Sequence, residues 1–366
     1  MKLVVLAALL IALSDCSSTK PDQTSQSQQP DRNQRPGPLG QGPGGPGAGG
    51  ASRNNPEADN QSGDTFFINL DGSDCSVDIA SKLGVSSVYE ETVDEKNKLR
   101  KIIINSVADH NVGEFPNAGN PNTIKVSKGV FNIPLYPQVA SKTTSAQGFD
   151  SGVLFSGVSI DPFTAEMFIG TTGQMNPQYN ITTLTTTENL GLDCNNAHVQ
   201  PTGKYHYHGT PSAIVDDKGI DGSEMVKIGY ASDGFPLYYK FGYNNQGEIV
   251  AHESGYKLKA GERGGDGVTA PDGPHNGRYF SDYEFDANLS ELDACNGRWG
   301  KTPESENEYY YVVTDNFPSV PLCFSGTPNS ELRKGGGRNG SQRPQRGAGG
   351  PPPRRSGNRG GTGNTE

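Results

Sequence analysis

The chain has no C-x-x-C spacing, no G-x-S-x-G elbow, no P-loop and no G-x-G-x-x-G opening a helix. The first absence argues against a zinc ribbon and a thioredoxin-like redox pair. The second removes the serine-hydrolase elbow, and no cysteine stands in a family-type nucleophile signature. Without the last two there is no sequence basis for nucleotide or dinucleotide binding. Hydrophobic residues are scarce, at 32% of 366. The apolar run from Leu3 to Leu13 is shorter than the about 20 residues that a membrane span takes. No long amphipathic helix is visible, and no internal repeat.

The ends differ from the middle. Residues 1–18 read as an export signal, with Lys2 before the apolar run. Leu13-Ser14-Asp15-Cys16 resembles a lipobox, which would tie the chain to a membrane through a lipid on Cys16, although Asp15 fits that pattern poorly. Ala12-Leu13-Ser14 offers simple cleavage and secretion instead. Either exit predicts an exported protein, periplasmic, at the cell surface or secreted. Residues 19–64 are a Gly/Pro/Gln-rich stretch with almost nothing apolar beyond Leu39, and are expected to be a disordered tether. Residues 328–366 are expected to be a second disordered arm, basic and Gly/Arg/Pro-rich. From Arg333 onward it holds eight Lys/Arg against one acid, a net +7, so the remainder carries −17 of the overall −10. Such a tail suits an acidic polymer or surface, or simply keeps the chain soluble; export argues against nucleic acid.

Of five cysteines, a lipidated Cys16 would leave Cys75, Cys194, Cys295 and Cys323. An even number in an oxidising compartment predicts two disulfides, with three possible pairings.

Residues 65–327 carry the apolar segments. They come as short strand-like pieces separated by Gly/Pro/Asn/Asp turns: Lys101 to Val107, Gly152 to Ile160, Met225 to Tyr230, Leu237 to Phe241, Tyr309 to Thr314. This pattern predicts a mainly β, sandwich- or barrel-like single domain with many short strands and long loops.

Chemistry concentrates in His198–Gly209, HVQPTGKYHYHG, which holds three of the chain's six histidines. In a strand, alternate side chains face opposite ways, so His206 and His208 share one face and Tyr205 and Tyr207 the other. Pro201-Thr202-Gly203 is turn chemistry, so a hairpin could fold His198 back towards the pair. Grouped imidazoles suit copper or zinc rather than calcium or magnesium. They also suit acid–base work, because histidine titrates near neutral pH. The bland alternative is packed tyrosines with histidines bonded to backbone carbonyls. His252 and His275 lie in polar, turn-like context and read as surface residues. The H-Y-H-G string looks like a multicopper-oxidase motif, but a single such pair does not support an oxidase.

Several segments together resemble the YHYH domain family of exported proteins, over roughly 102–326. They are ADHNVGEFPNAGNPN (Ala108–Asn122), DPFTAE (Asp161–Glu166), LGLDCNNAHVQPTGKYHYHGTP (Leu190–Pro211), IGYASDGFPLY (Ile228–Tyr238), DYEF (Asp282–Phe285), LDACNGRWGKTPE (Leu292–Glu304) and YYYVVTDNFPSVPLCFSG (Tyr309–Gly326). The resemblance implies a β-rich exported domain without an assigned chemistry. It marks His110, His198, Tyr205, His206, Tyr207, His208 and Asp233, with Asp193, Asn195, Asn196 and Gln200. Tyr310 departs from it, standing where a histidine is expected, and Cys194 stands where a polar residue is expected. The second departure, with Cys75 outside the matched segments, implies Cys75–Cys194 and Cys295–Cys323 bridges. Three functions follow as expectations. One is a copper or zinc site of His206, His208, His198 and His110, with Asp233 or Asp193 as ligand or orienting carboxylate. Another is a metal-independent, hydrolase-like enzyme with a histidine base oriented by Asp193 or Asp233. The third is a structural or interaction module at the cell surface.

Overall fold

A computed structural model describes residues 66–334. The expected signal segment 1–18, the tether 19–64 and the tail beyond 334 lie outside the described residues.

The fold is mostly β, built of many short strands in several sheets. Its centre is an eight-stranded sheet. In spatial order the strands are Gly297–Gly300, Glu308–Val313, Pro236–Tyr239, Val226–Ala231, Gly152–Leu154, Ser159–Ile160, Tyr205–Tyr207 and Ala197–Val199. No sheet among the described residues closes on itself, so the sandwich-like form holds and the barrel does not.

Alternation in these strands sorts side chains onto two faces. One face carries Leu154, Ile160, Val199, Tyr205, Tyr207, Leu237, Tyr239, Tyr309, Tyr311 and Val313, packed on Val107, Val112 and Phe115. On the other face a three-stranded sheet, Tyr89–Asp94, Leu99–Ile104 and Gly129–Pro134, lays Ile102, Ile104, Phe131 and Ile133 over Val153 and Tyr230. Each such fully buried isoleucine contributes about 1.5–3 kcal/mol. Beside that layer, Met225, Tyr238, Leu292, Tyr310 and Val312 form a smaller apolar cluster.

The eight-stranded sheet is a repeat, contrary to the expectation from sequence. Its two middle strands pair antiparallel as Gly152↔Ala231, Val153↔Tyr230 and Leu154↔Gly229. A two-fold axis through Val153↔Tyr230 exchanges the two halves. Outward from it, each half has a tight turn: Leu154 N–H donates to Val158 O at 2.9 Å, and Ala231 N–H to Phe235 O at 2.8 Å. Each turn needs a left-handed residue and has glycine there, Gly157 at φ 78° and Gly234 at φ 95°. Each half then adds one parallel strand and an antiparallel partner: Ser159–Ile160 pairs with His206–Tyr207, and Leu237–Tyr239 with Tyr311–Val313.

The entry into each outer hairpin is also duplicated. Asp193 Oδ1 accepts from the N–H groups of Asn195 (2.9 Å) and Ala197 (3.3 Å), and Asp193 Oδ2 accepts from Tyr205 Oη (2.7 Å). Asp293 Oδ1 accepts from Cys295 (2.8 Å) and Gly297 (3.0 Å), and Asp293 Oδ2 from Tyr309 Oη (2.6 Å). Asn196 and Asn296 follow with φ of 53° and 59°. Hence His198, His206 and His208 occupy the places of Arg298, Tyr310 and Val312 in the other half. By the same operation Ser159 and Asp161 match Pro236 and Tyr238.

Both disulfides meet these entry turns. Cys75–Cys194 spans 119 residues and Cys295–Cys323 spans 28, with Cα separations of 5.8 and 5.0 Å. They fit an oxidising compartment. At the C-terminal side the packed chain runs past the expected boundary at 327. Asn329 Nδ2 donates to Asn132 O at 2.8 Å, Leu332 packs on buried side chains, and Lys334 N–H donates to Gly148 O at 2.7 Å.

Candidate metal centre

The antiparallel hairpin sets His206 directly opposite His198. The same alternation that sends Tyr205 and Tyr207 into the core turns His206 and His208 to the other face. His208 lies just past the strand, where its N–H donates to Asn196 O at 2.8 Å. The three rings form a near-equilateral group, with centroids 4.6, 4.7 and 4.8 Å apart. One ring nitrogen from each lies within 4.8 Å of the others. His206 and His208 are buried and His198 is half-buried.

The outward nitrogens have their own partners. His198 Nδ1 is 2.9 Å from Leu190 O, His206 Nδ1 is 3.4 Å from Lys204 O, and His208 Nδ1 is 3.2 Å from Thr183 Oγ1. Thr183 Oγ1 in turn donates to Pro162 O at 3.5 Å, which leaves its lone pair for the His208 N–H. Protons held on Nδ1 in this way leave the Nε2 lone pairs free. His198 Nε2 and His208 Nε2 then face each other at 3.1 Å. Two nitrogens on one tetrahedral zinc, each about 2.0–2.1 Å from it, stand about 3.3 Å apart. The donor set could therefore hold a metal ion.

Burial holds all three imidazoles below the ordinary histidine range, His206 and His208 well below it. The neighbouring imidazoles and the Lys334 ammonium push His206 and His208 down further. Neutral imidazole is the ligating form, so the environment favours the state a metal needs.

His110 and Asp233, expected as ligands, are not brought to the triad. His110 lies on the tyrosine face, with Nε2 2.7 Å from Tyr207 Oη and Nδ1 2.8 Å from Asn111 O. Asp233 accepts from Tyr311 Oη (2.6 Å) and Gly326 N–H (2.8 Å) in the opposite half of the sheet. Asp193 anchors the entry turn instead of orienting an imidazole. No carboxylate among the described residues is bonded to a triad nitrogen, so the His–Asp pair of the enzyme expectation is not formed. His252, expected at the surface, is buried, 3.4 Å from Arg298 Nη1, and pushed down to about 4 by that burial.

A family model described as YHYH protein matches residues 130–326, more than half of the chain. The chain belongs to the YHYH family. The match begins later than the resemblance from about residue 102 and ends at the same place. No curated protein matches, and no solved structure does. In this YHYH domain both halves of the duplicated sheet lie within the match, whereas Cys75, His110 and Lys334 lie outside it.

Two residues beside the triad escaped the sequence reading. Asp161, the first residue of DPFTAE, follows the strand next to His206, and its N–H donates to Tyr207 O at 2.8 Å. Its carboxylate is ion-paired to Lys334. In the sequence it stands only at the head of a family-like segment, with nothing to place it beside a strand 45 residues later.

Proposed function

We propose that this YHYH domain binds one zinc or copper ion through Nε2 of His198, His206 and His208. The observation that carries this reading is the convergence of three imidazoles, two buried and one half-buried, whose outward nitrogens are already occupied. The duplicated half gives an internal comparison. The same backbone there holds Arg298, Tyr310 and Val312, so the fold itself does not require histidine at these places. Three neutral donors leave room for a fourth ligand, either water or an oxygen donor. The bound ion would supply Lewis acidity there; the chain supplies the ligands, fixes their tautomers and excludes bulk water from two of them.

The two disulfides and the signal-like first 18 residues support an exported location. The basic tail supports contact with an acidic polymer or surface. The enzyme reading that needs a His–Asp pair has no such support.

The deciding experiment is metal analysis of the full chain, purified without a histidine tag and reconstituted with zinc or copper. It is run beside a His206→Ala/His208→Ala variant. Near-stoichiometric metal in the wild type and none in a folded variant is the expected result. Equal, negligible metal in both rules the site out.

A further inference from the structure

The strand beside the triad carries polar groups that its twin in the other half lacks. Ser159 pairs in register with His206, and Asp161, just past the end of that strand, stands two residues on, at the spacing that faces the same way. Both are buried, at 0% and 4% exposure. Ser159 Oγ and Asp161 Oδ1 have no hydrogen-bond partner among the described residues. Their counterparts are Pro236 and Tyr238, and Tyr238 sits in an apolar cluster. A buried carboxylate with one free oxygen is costly, and the equivalent half shows that the fold does not demand it.

The other oxygen of Asp161 is held by Lys334. Lys334 Nζ is also 3.5 Å from Asp150 Oδ1, and Asp150 has a second cation in Lys204. Asp161 therefore depends on Lys334, whereas Asp150 does not. Lys334 is close enough to weigh electrostatically on His206 and His208.

We propose that Asp161 is the anionic member of the metal centre and that Lys334 is its resident counter-ion, displaced when the metal cation binds. This rests on the triad reading above. Three neutral imidazoles leave a divalent ion with its full charge in a buried place, and Asp161 offsets part of it. A dication in the triad repels the Lys334 ammonium and takes over its carboxylate. The root of the basic tail is then released, while Asp150 keeps Lys204. Metal occupancy at one end of the sheet is thereby coupled to how Lys334 is held.

The test uses the full chain and zinc. Affinity is measured by competition with a chromophoric chelator for wild type, D161N and K334M. Cleavage after Lys334 by a lysine-specific protease is followed with and without zinc. D161N should bind zinc about 10–100-fold more weakly, as loss of an orienting or compensating neighbour does. K334M should bind roughly fivefold more tightly, through removal of a like charge. Zinc should speed cleavage after Lys334 in the wild type. Affinity of D161N equal to wild type, or K334M binding no more tightly, overturns the proposal. Should D161N fail to fold, the K334M affinity and the protease comparison decide it. A wild type that takes up neither zinc nor copper overturns the triad reading instead, and this inference with it.

Discussion

His206 and Tyr310 occupy equivalent positions in the two halves of one duplicated sheet, each directly opposite the outer strand's residue, His198 or Arg298. The protein thus contains its own comparison for the histidine site. Substituting His206→Tyr together with His208→Val copies what the other half carries. A double variant of this kind should stay folded, with stability within about 1–3 kcal/mol of the metal-free wild type, the range for a volume increase in a packed place. It should bind no metal. Near-ultraviolet circular dichroism and urea unfolding read the first outcome, and metal analysis the second. An unfolded double variant would make the histidines structural.

The depressed imidazoles give the metal-free protein a pH dependence with a definite sign. Their folded pKa values lie below the unfolded one of about 6.5. Above that value neither state is protonated there and the term is flat. As pH falls below it, the unfolded chain takes up protons that the folded chain refuses, so stability is lost. Asp233, pushed up to about 6 by burial, acts the other way: its contribution is present below the ordinary carboxylate range and lost as pH rises through 6. Comparing wild type with the Tyr/Val double variant cancels Asp233 and isolates His206 and His208. The urea midpoint of the wild type should rise relative to that of the double variant on going from pH 5 towards pH 7. Parallel curves over that range would contradict the buried, neutral assignment.

Asp193 illustrates a site residue whose role is mechanical. Its carboxylate gathers the N–H groups of Gly113, Asn195 and Ala197 and the Tyr205 hydroxyl. Asp193→Ala leaves those donors unpaired in a buried place. The expected cost is about 1–3 kcal/mol for each of those donors that stays buried without a partner. The hairpin that holds His198 opposite His206 should loosen with it, and zinc affinity should fall. Denaturant unfolding and chelator competition check the two parts. A loss under about 1 kcal/mol would mean that water replaces the carboxylate.

The fold class and the triad were legible because both follow from short-range rules. Turn residues at Pro201-Thr202-Gly203 and period-two alternation through Tyr205–His208 are enough to place three imidazoles on one face. The duplication was not legible. Its two halves share turn geometry, carried by Asp193 and Asp293, Asn196 and Asn296, Gly157 and Gly234, while their outward side chains diverged completely. Sequence periodicity weighs the side chains and misses the turns. His110 and Asp233 were misplaced for a related reason: each occurs in a distinctive loop, and each is consumed by a tyrosine hydroxyl, Tyr207 or Tyr311, on the face away from the imidazoles. Asp161 and Lys334 were missed because 173 residues separate them.

The two disulfides should separate stability from metal binding. Each closes a loop and constrains the unfolded chain, so removing either costs about 2–4 kcal/mol. Their positions differ in consequence. Cys194 stands between Asp193 and Asn195, at the head of the histidine hairpin, whereas Cys295 heads the hairpin of Arg298 and Tyr310. Cys75→Ser/Cys194→Ser should therefore lower both the urea midpoint and the zinc affinity. Cys295→Ser/Cys323→Ser should lower the midpoint alone, provided zinc binding is measured where that variant is folded. Equal losses of affinity in both variants would show that the two halves communicate through the shared Val153↔Tyr230 seam, so that the triad depends on the whole sheet and not on its own hairpin.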